Sequence, residues 1–295
     1  ITRLIPSCSS SDYRWILLTD MRPVFTKKSQ AQASVLIGLF FFFIIMMVMI
    51  RTCSTSHPET VEKMPSGGDT IDVAIEYGPL SLYRYEDTLG GFAYDILRRM
   101  ESEAGLNFKF HPVMTLKEAL EGVDKGYYRL VVAAMPVSAN LRSTYAATVP
   151  VFLDRQVLVQ MKGENDSIEV QSQLDLAGKQ VYVMAGSPVA ERLHNLASEI
   201  GDTIYVVEDP EYGSEQLFIL AATGEIPRAV VTERSAKALA DDYPQADIST
   251  AISFTQFQSW LLGKQDSTLK IRLDSIIEAQ KKKPFYKKLE KRYFE

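Results

Sequence analysis

The chain has 295 residues, 46% of them hydrophobic and 23% charged, a globular composition with room for one large or two modest domains. Its cysteines, Cys8 and Cys53, both fall in the N-terminal fifth, so the remainder can carry neither a disulfide framework nor a thiolate metal site. Six of the 32 basic and two of the 37 acidic residues lie within the first 53, which leaves 26 and 35 beyond, a net of −9 that suits a nucleic-acid backbone poorly.

In chain order, residues 1–30 form an N-terminal extension. Its first methionine is Met21, so a start placed upstream of the true one is a reading of residues 1–20. Val35 to Ile50 are sixteen consecutive apolar or glycine residues, with Arg22, Lys27 and Lys28 before them and Arg51 after. That charge order places the following chain outside the cytoplasm. Residues 31–52 are accordingly expected to be a membrane segment or a signal peptide. At about 1.5 Å per residue the apolar run reaches roughly 24 Å, short of a bilayer core of about 30 Å, and including Ala31 to Ser34 closes the gap. Lipidation at Cys53 is the competing anchor, although Arg51 stands where a small residue is expected. Residues 53–69, rich in Pro, Gly and polar groups, read as a tether.

Regular patterning starts at Thr70. Residues 72–76 read as a strand. Ala93, Ile96, Leu97, Met100 and Ala104 then recur at helical spacing up to a Gly105 cap. Residues 108–113 are strand, Leu116, Ala119, Leu120 and Val123 mark a helix, and residues 129–134 (RLVVAA) are a buried strand. The same units return: strand at 180–184, helix from Val189 to a Gly201 cap, strand at 203–207, helix through Leu217, Leu220 and Ala221 to Gly224, strand at 229–231. Two such sets predict an α/β protein of two lobes, each a mixed, mostly parallel sheet flanked by helices.

The residues that carry this pattern resemble family 3 of the bacterial extracellular solute-binding proteins, with the type II periplasmic binding fold, over about Thr70 to Phe294. The marks are IDVAIEYGPLSLYRYEDTLGGFAYDIL, the Gly126-to-Met135 run, Asp175-Leu176-Ala177-Gly178-Lys179 with Gly186-Ser187-Pro188 behind it, and a closing helix from Phe285 to Phe294. Each mark alone is weak; four in order are strong. Residues 91–97 and 252–260 are most similar to the non-catalytic binding domain of membrane-bound lytic transglycosylase F. Its catalytic domain follows the binding domain, and as this sequence ends at Glu295, a chain without one is expected.

The resemblance implies two crossing hinge segments, near 154–157 and 255–260, a first lobe of 70–155 plus 260–295, and a second of 156–259. It also implies a location on the periplasmic side of a bacterial membrane, a small-molecule ligand in the cleft, and an ABC-type permease or a peptidoglycan enzyme as partner. Ser187 suits a helix N-cap and Pro188 the first helical position, where its missing N–H costs nothing, so the free amides that follow make the Gly186-Ser187-Pro188 helix start either an anion site or a plain capped start. In amino-acid-binding members an arginine after the Gly-x-Tyr-Asp strand grips the ligand carboxylate; here that position falls on Leu141, with Arg142 one residue off. The acidic grip for the amino group falls on Thr232, beside Glu233. Met135 and Ser138 belong to the same loop as Arg142, and Tyr77, Tyr83 and Tyr94 are candidates for an aromatic floor.

Enzymatic readings find little support. His57, His111 and His194 have no ligand-spaced partners, neither a Gly-x-Ser-x-Gly motif nor a phosphate loop occurs, and no cofactor or metal is implied. Nothing in the sequence fixes the separation of Glu76 and Asp95, the one carboxylate pair considered. The basic run from Lys281 to Arg292 reads as a solvated helix face.

Overall fold

The computed structural model describes residues 39–40, 46–47 and 70–294. The chain divides into two units, Ile1–Glu62 and Lys63–Glu295. In the first, only residues 39–40 and 46–47 are described, and these are helical. The expectations for residues 1–30, the membrane segment at 31–52, the tether at 53–69 and lipidation of Cys53 therefore concern residues almost wholly outside the described ones. Among the described residues no helix is long and apolar enough to cross a membrane.

The second unit is built on two five-stranded sheets. The first has the order β4 (Asn107–Val113), β1 (Thr70–Glu76), β5 (Leu130–Val132), β14 (Leu261–Gly263), β6 (Tyr145–Ala147). The second runs β10 (Tyr205–Asp209), β9 (Gln180–Met184), β11 (Arg228–Thr232), β8 (Gln156–Met161), β12 (Ala246–Asp247). In both, the first two pairings are parallel and the last two antiparallel. The expected two-lobed α/β architecture is what the chain forms. The antiparallel halves come from strands on either side of the lobe crossings, which strand–helix alternation does not mark.

Those crossings are β7 (Phe152–Asp154) and β13 (Gln256–Gln258), paired antiparallel with Leu153 opposite Phe257. One carries the chain from the first sheet to the second and the other brings it back. A further hairpin, β2 (Tyr83–Tyr85) with β3 (Thr88–Gly90), leads into the first helix.

Helix α1 (Phe92–Ala104) buries Phe92, Ala93, Ile96, Leu97 and Met100, and Gly105 ends it at φ 60°, a left-handed turn that glycine adopts without a Cβ clash. Helix α2 (Leu116–Asp124) is capped by Thr115, whose hydroxyl accepts from the Glu118 amide at 3.2 Å. A short helix, α3 (Ala139–Thr144), precedes β6. In the second lobe, α4 (Pro188–Ile200) buries Val189, Ala190, Leu193 and Leu196, and α5 (Ser214–Ala222) buries Leu217, Phe218, Ala221 and Ala222. Helix α6 (Glu233–Ala240) leaves β11 directly. The chain then returns to the first lobe as α7 (Ser267–Lys281) and α8 (Pro284–Phe294).

Three apolar clusters result. One, with Phe92, Met100, Trp260 and Tyr286, belongs to the first lobe, and another, with Val181, Val183, Leu193 and Leu196, to the second. The third joins Ala74, Leu116, Val131 and Leu141 of the first lobe to Met184, Leu217, Phe218 and Val231 of the second. A shared apolar cluster of this kind holds the lobes together by burial, at roughly 25 cal/mol for each Å² removed from water.

Candidate functional site between the lobes

The β-strand ends of the two lobes meet at Glu76, the last residue of β1. Its side chain accepts from the Ala134 amide of the first lobe at 2.9 Å and from the Ser214 hydroxyl of the second at 2.8 Å. Only 6% of Glu76 is exposed. Burial drives its carboxyl above the ordinary carboxylate range, the Ala134 and Ser214 hydrogen bonds oppose this, and the Glu215 charge adds to the rise. A buried acid with a donor on each oxygen, one from each lobe, thus links the lobes directly.

Backbone contacts extend the seam. Helix α5 starts at Gly213 so close to the first lobe that a Cβ there would lie 2.5 Å from the Met114 carbonyl oxygen. A Cβ at Gly186 would lie 3.3 Å from the Lys117 backbone of α2. Glycine at these two places is what lets the lobes approach.

The sequence-predicted residues separate into distinct surroundings. Tyr77 and Tyr83 line a cavity of about 840 Å³, together with Glu215, Arg234, Lys237 and Phe294. Tyr94 packs on Phe110 in the first-lobe core, with ring centroids 5.1 Å apart. Met135 is buried in the shared cluster. Ser138 caps α3, accepting from the Leu141 amide at 3.3 Å, and Arg142 is exposed in the last turn of that helix. Leu141 itself is buried in the shared cluster.

Helix α4 begins as the sequence predicts: Ser187 accepts from the Val189 amide at 3.2 Å and Pro188 is the first helical residue. The Gly186 amide, however, donates to the Glu208 carboxylate at 3.0 Å. The chain's own anion thus occupies the amide that leads into that helix start. Thr232, at the end of β11, is buried and donates its hydroxyl proton to Ser235 at 2.8 Å. Its neighbour Glu233 turns outward into a two-pronged ion pair with Arg155, both contacts at 2.8 Å.

The cavity draws its walls from both lobes. From the first come Tyr77, Tyr83, Arg84 and the end of α8; from the second come Glu215 at the start of α5 and Arg234 and Lys237 of α6. Arg234 bridges its rim, with Nε donating to the Leu153 carbonyl at 2.9 Å and the guanidinium lying 3.7 Å from the Phe294 ring centre. Glu215, Arg234 and Lys237 carry no sequence mark of their own, and Phe294 is marked only as the end of the closing helix. Their roles follow from α6 and α8 being brought together, 60 residues apart between Arg234 and Phe294. Glu76 and Asp95 share no partner: Asp95 accepts from Tyr293 at 2.8 Å, whereas Glu76 faces Ser214. Among the described residues no group of His, Cys, Asp and Glu is arranged to hold a metal ion.

The hinge holds a second buried acid. Asp154, at the end of β7, accepts from the Arg155 amide at 2.8 Å and from the Arg234 amide at 3.4 Å. Burial pushes its pKa up to about 6, against the pull of those amides and of the Arg234 charge. A carboxyl raised on folding contributes stability that is present below the unfolded value of 3.8 and lost as pH rises through about 6. Asp154→Asn is therefore expected to match the parent near pH 4 and to gain on the order of 2 kcal/mol over it by pH 7, at about 1.4 kcal/mol per pKa unit. Melting curves of the two proteins at pH 4, 5.5 and 7 check this; parallel profiles would refute it.

Comparison with known proteins follows this geometry. The profile of the bacterial extracellular solute-binding proteins, family 3, matches residues 70–295. Among curated relatives, the membrane-bound lytic murein transglycosylase F of Ectopseudomonas mendocina (strain ymp) is 21% identical over 251 residues, 84% of this chain and 50% of that protein. The transglycosylase F of Aeromonas hydrophila is 24% identical over 242 residues, 82% of this chain and 48% of that one. The chain thus spans about half the length of the curated relatives it matches. Among solved structures, an ancestral arginine-binding protein bound to glutamine superposes with a TM-score of 0.66 at 21% identity, over 77% of this chain and 99% of that one. The substrate-binding protein of an amino acid ABC transporter gives 0.65 at 18% identity, over 76% and 99%. These structures share the fold, the profile covers both lobes, and the chain belongs to the bacterial extracellular solute-binding proteins, family 3.

Proposed function

We propose that the chain is an extracytoplasmic substrate-binding protein that closes its lobes on a small polar ligand, amino-acid, peptide or muropeptide-like, for uptake through an ABC-type permease or for sensing. The observation that carries this reading is the cavity of about 840 Å³ walled by both lobes beside a two-strand hinge. Ligands that touch both walls stabilise the closed form, which is how hinge-closing proteins couple binding to shape. In this reading residues 70–155 and 260–295 form the first lobe and 156–259 the second, Tyr77 and Tyr83 contact ligand, and the chain binds without catalysing. Residues 31–52, or a lipid on Cys53, hold it at the periplasmic face of the membrane.

Thermal-shift measurements with amino acids, short peptides and cell-wall fragments at millimolar concentration test it. A ligand at about 100 times its Kd adds roughly 2.7 kcal/mol, which for a domain of this size raises Tm by about 5–10 °C. No shift with any of the three classes would sink the proposal.

Two observations favour a second reading, a membrane-tethered, non-catalytic interaction module related to the binding half of transglycosylase F. Leu141 is packed in the shared cluster, and Glu208 takes the Gly186 amide. Retention of a peptidoglycan enzyme by the immobilised protein, with no response to small molecules, distinguishes this reading from the first.

A further inference from the structure

We propose that the exposed face of α8, with the groove between it and α1, is a docking surface for an anionic phospholipid bilayer and lays the first lobe against the membrane. This goes beyond the substrate-binding reading and draws on the membrane anchoring proposed with it. The starting point is charge. Residues 281–292 hold seven basic residues and one acid, which leaves 19 basic and 34 acidic residues in the rest of the chain beyond Cys53. A segment of net +6 thus sits on a body of net −15. An anionic surface repels such a body unless the basic segment faces it.

Helix α8 turns this charge to one side. Tyr286 and Leu289 are buried in the first-lobe core, whereas Lys287, Lys288, Lys291 and Arg292 are exposed. At 3.6 residues per turn these four occupy an arc of about 140°. Lys282 is exposed in the turn that leads into the helix. The side chains of Lys282, Lys287, Lys288 and Lys291 make no ion pair or hydrogen bond among the described residues. The neighbouring acids are already paired: Glu101 with Arg98, Glu103 with Lys283 and, at 2.6 Å, with Arg99, Glu278 with Lys281 at 3.6 Å, and Asp95 with Arg292 at 3.6 Å. Glu290, the acid of α8, is half-buried and lies one turn from Tyr286, on the core side.

The free charges are all lysine. A lysine is a point charge on a flexible stem and suits a diffuse anionic surface, whereas the fixed fork of arginine better serves a site for a single carboxylate or phosphate. Here Arg98, Arg99 and Arg292 are the ones already paired with carboxylates. Beside the lysines a groove of about 420 Å³ runs between α1 and α8, with Phe285 and Leu289 in its wall next to Lys288 and those three arginines. Cationic and apolar groups side by side match the two parts of a phospholipid at a bilayer surface. Each lysine brought to an anionic leaflet adds about fivefold to affinity, so four give on the order of several hundredfold at low salt. Residues 53–69, seventeen positions, reach at most about 60 Å, enough to bring any face of a domain of this size to the bilayer. Charge then selects the face.

Amine footprinting on the full chain tests this, with vesicles of phosphatidylcholine alone or with about 30% phosphatidylglycerol, in about 50 and about 500 mM NaCl. Brief acetylation and mass spectrometry give the rate at each lysine. On the anionic vesicles at low salt, Lys287, Lys288 and Lys291 are expected to react at least about fivefold more slowly than on phosphatidylcholine, and high salt to abolish the difference. Lys125 is the control, because α2, which it ends, packs with Ala74 on one side of the first sheet while α1 and α8 pack with Val73 and Ile75 on the other. Its rate is expected to stay within about twofold. In the variant carrying both Lys287→Glu and Lys291→Glu, at exposed positions, Lys288 is expected to react equally on the two vesicle types. Equal Lys288 rates in the parent, slowing that survives in the double variant, or slowing at Lys125 as large as at Lys288 overturns the proposal. So does protection of Lys288 by soluble polyglutamate but not by the anionic vesicles, which would mark an acidic protein as the partner. Flotation with phosphatidylcholine vesicles reports the anchor separately, and ligand-induced thermal shifts report substrate binding, so those readings stand or fall apart from this one.

Discussion

Leu141→Arg is expected to destabilise the protein by about 3–4 kcal/mol and to add binding of no amino acid that the parent does not already bind. Leu141 is 9% exposed and packs in the cluster that both lobes share. An arginine there loses the leucine's packing and carries a guanidinium into apolar surroundings, where an unpaired charge costs several kcal/mol. Neither outcome of forcing it helps a ligand: if the side chain stays in, it is unpaired, and if it turns out, the seam between the lobes opens. Chemical denaturation gives the stability change, and titration with a set of amino acids gives the binding. A variant as stable as the parent that bound an amino acid the parent does not bind would show that Leu141 faces ligand, not core.

Gly91→Ala is expected to cost at least about 3 kcal/mol, a fall in Tm of roughly 6–12 °C for a domain of this size. Gly91 precedes α1 at φ 138°, a conformation that L side chains rarely adopt. An added Cβ would lie 2.3 Å from the Ser81 carbonyl oxygen and 2.7 Å from its carbon, and backbone atoms cannot swing aside as a flexible side chain can. The Gly91 amide also donates to the Tyr293 hydroxyl at 3.1 Å, so displacement would loosen α8, which forms part of the cavity wall. Gly105→Ala is the matched comparison, because its φ is 60° but no atom lies within 4 Å of the new Cβ. Only the left-handed backbone is penalised there, at about 1–2 kcal/mol. Equal melting temperatures for the two variants would contradict the steric account.

Much of the fold was legible because its signals are local. Residues 180–184 form the strand expected of them, and Gly105 and Gly201 end helices in the left-handed conformation their type favours. The short strands β6, β7, β12, β13 and β14 were not legible, since two or three residues are too few to show a period of two. The candidate site divides in the same way. Ser187 and Pro188 build a helix start by local rules alone, and the structure has that start. Whether the Gly186 amide just before it is free is a different matter, decided by Glu208, a residue of the neighbouring strand β10.

The sequence by itself determined the strand–helix order, the helix caps, the acidic character of the chain beyond Cys53 and the family, because each is a property of neighbouring residues or of composition. Only the tertiary structure decided which groups meet between the lobes. Glu76 reaches Ser214 from 138 positions away, Leu141 turns into the core instead of the cleft, and Glu215 is left without a partner beside Tyr77. The chain crosses between the lobes twice, so the cleft is built from segments whose separation and angle no local periodicity encodes.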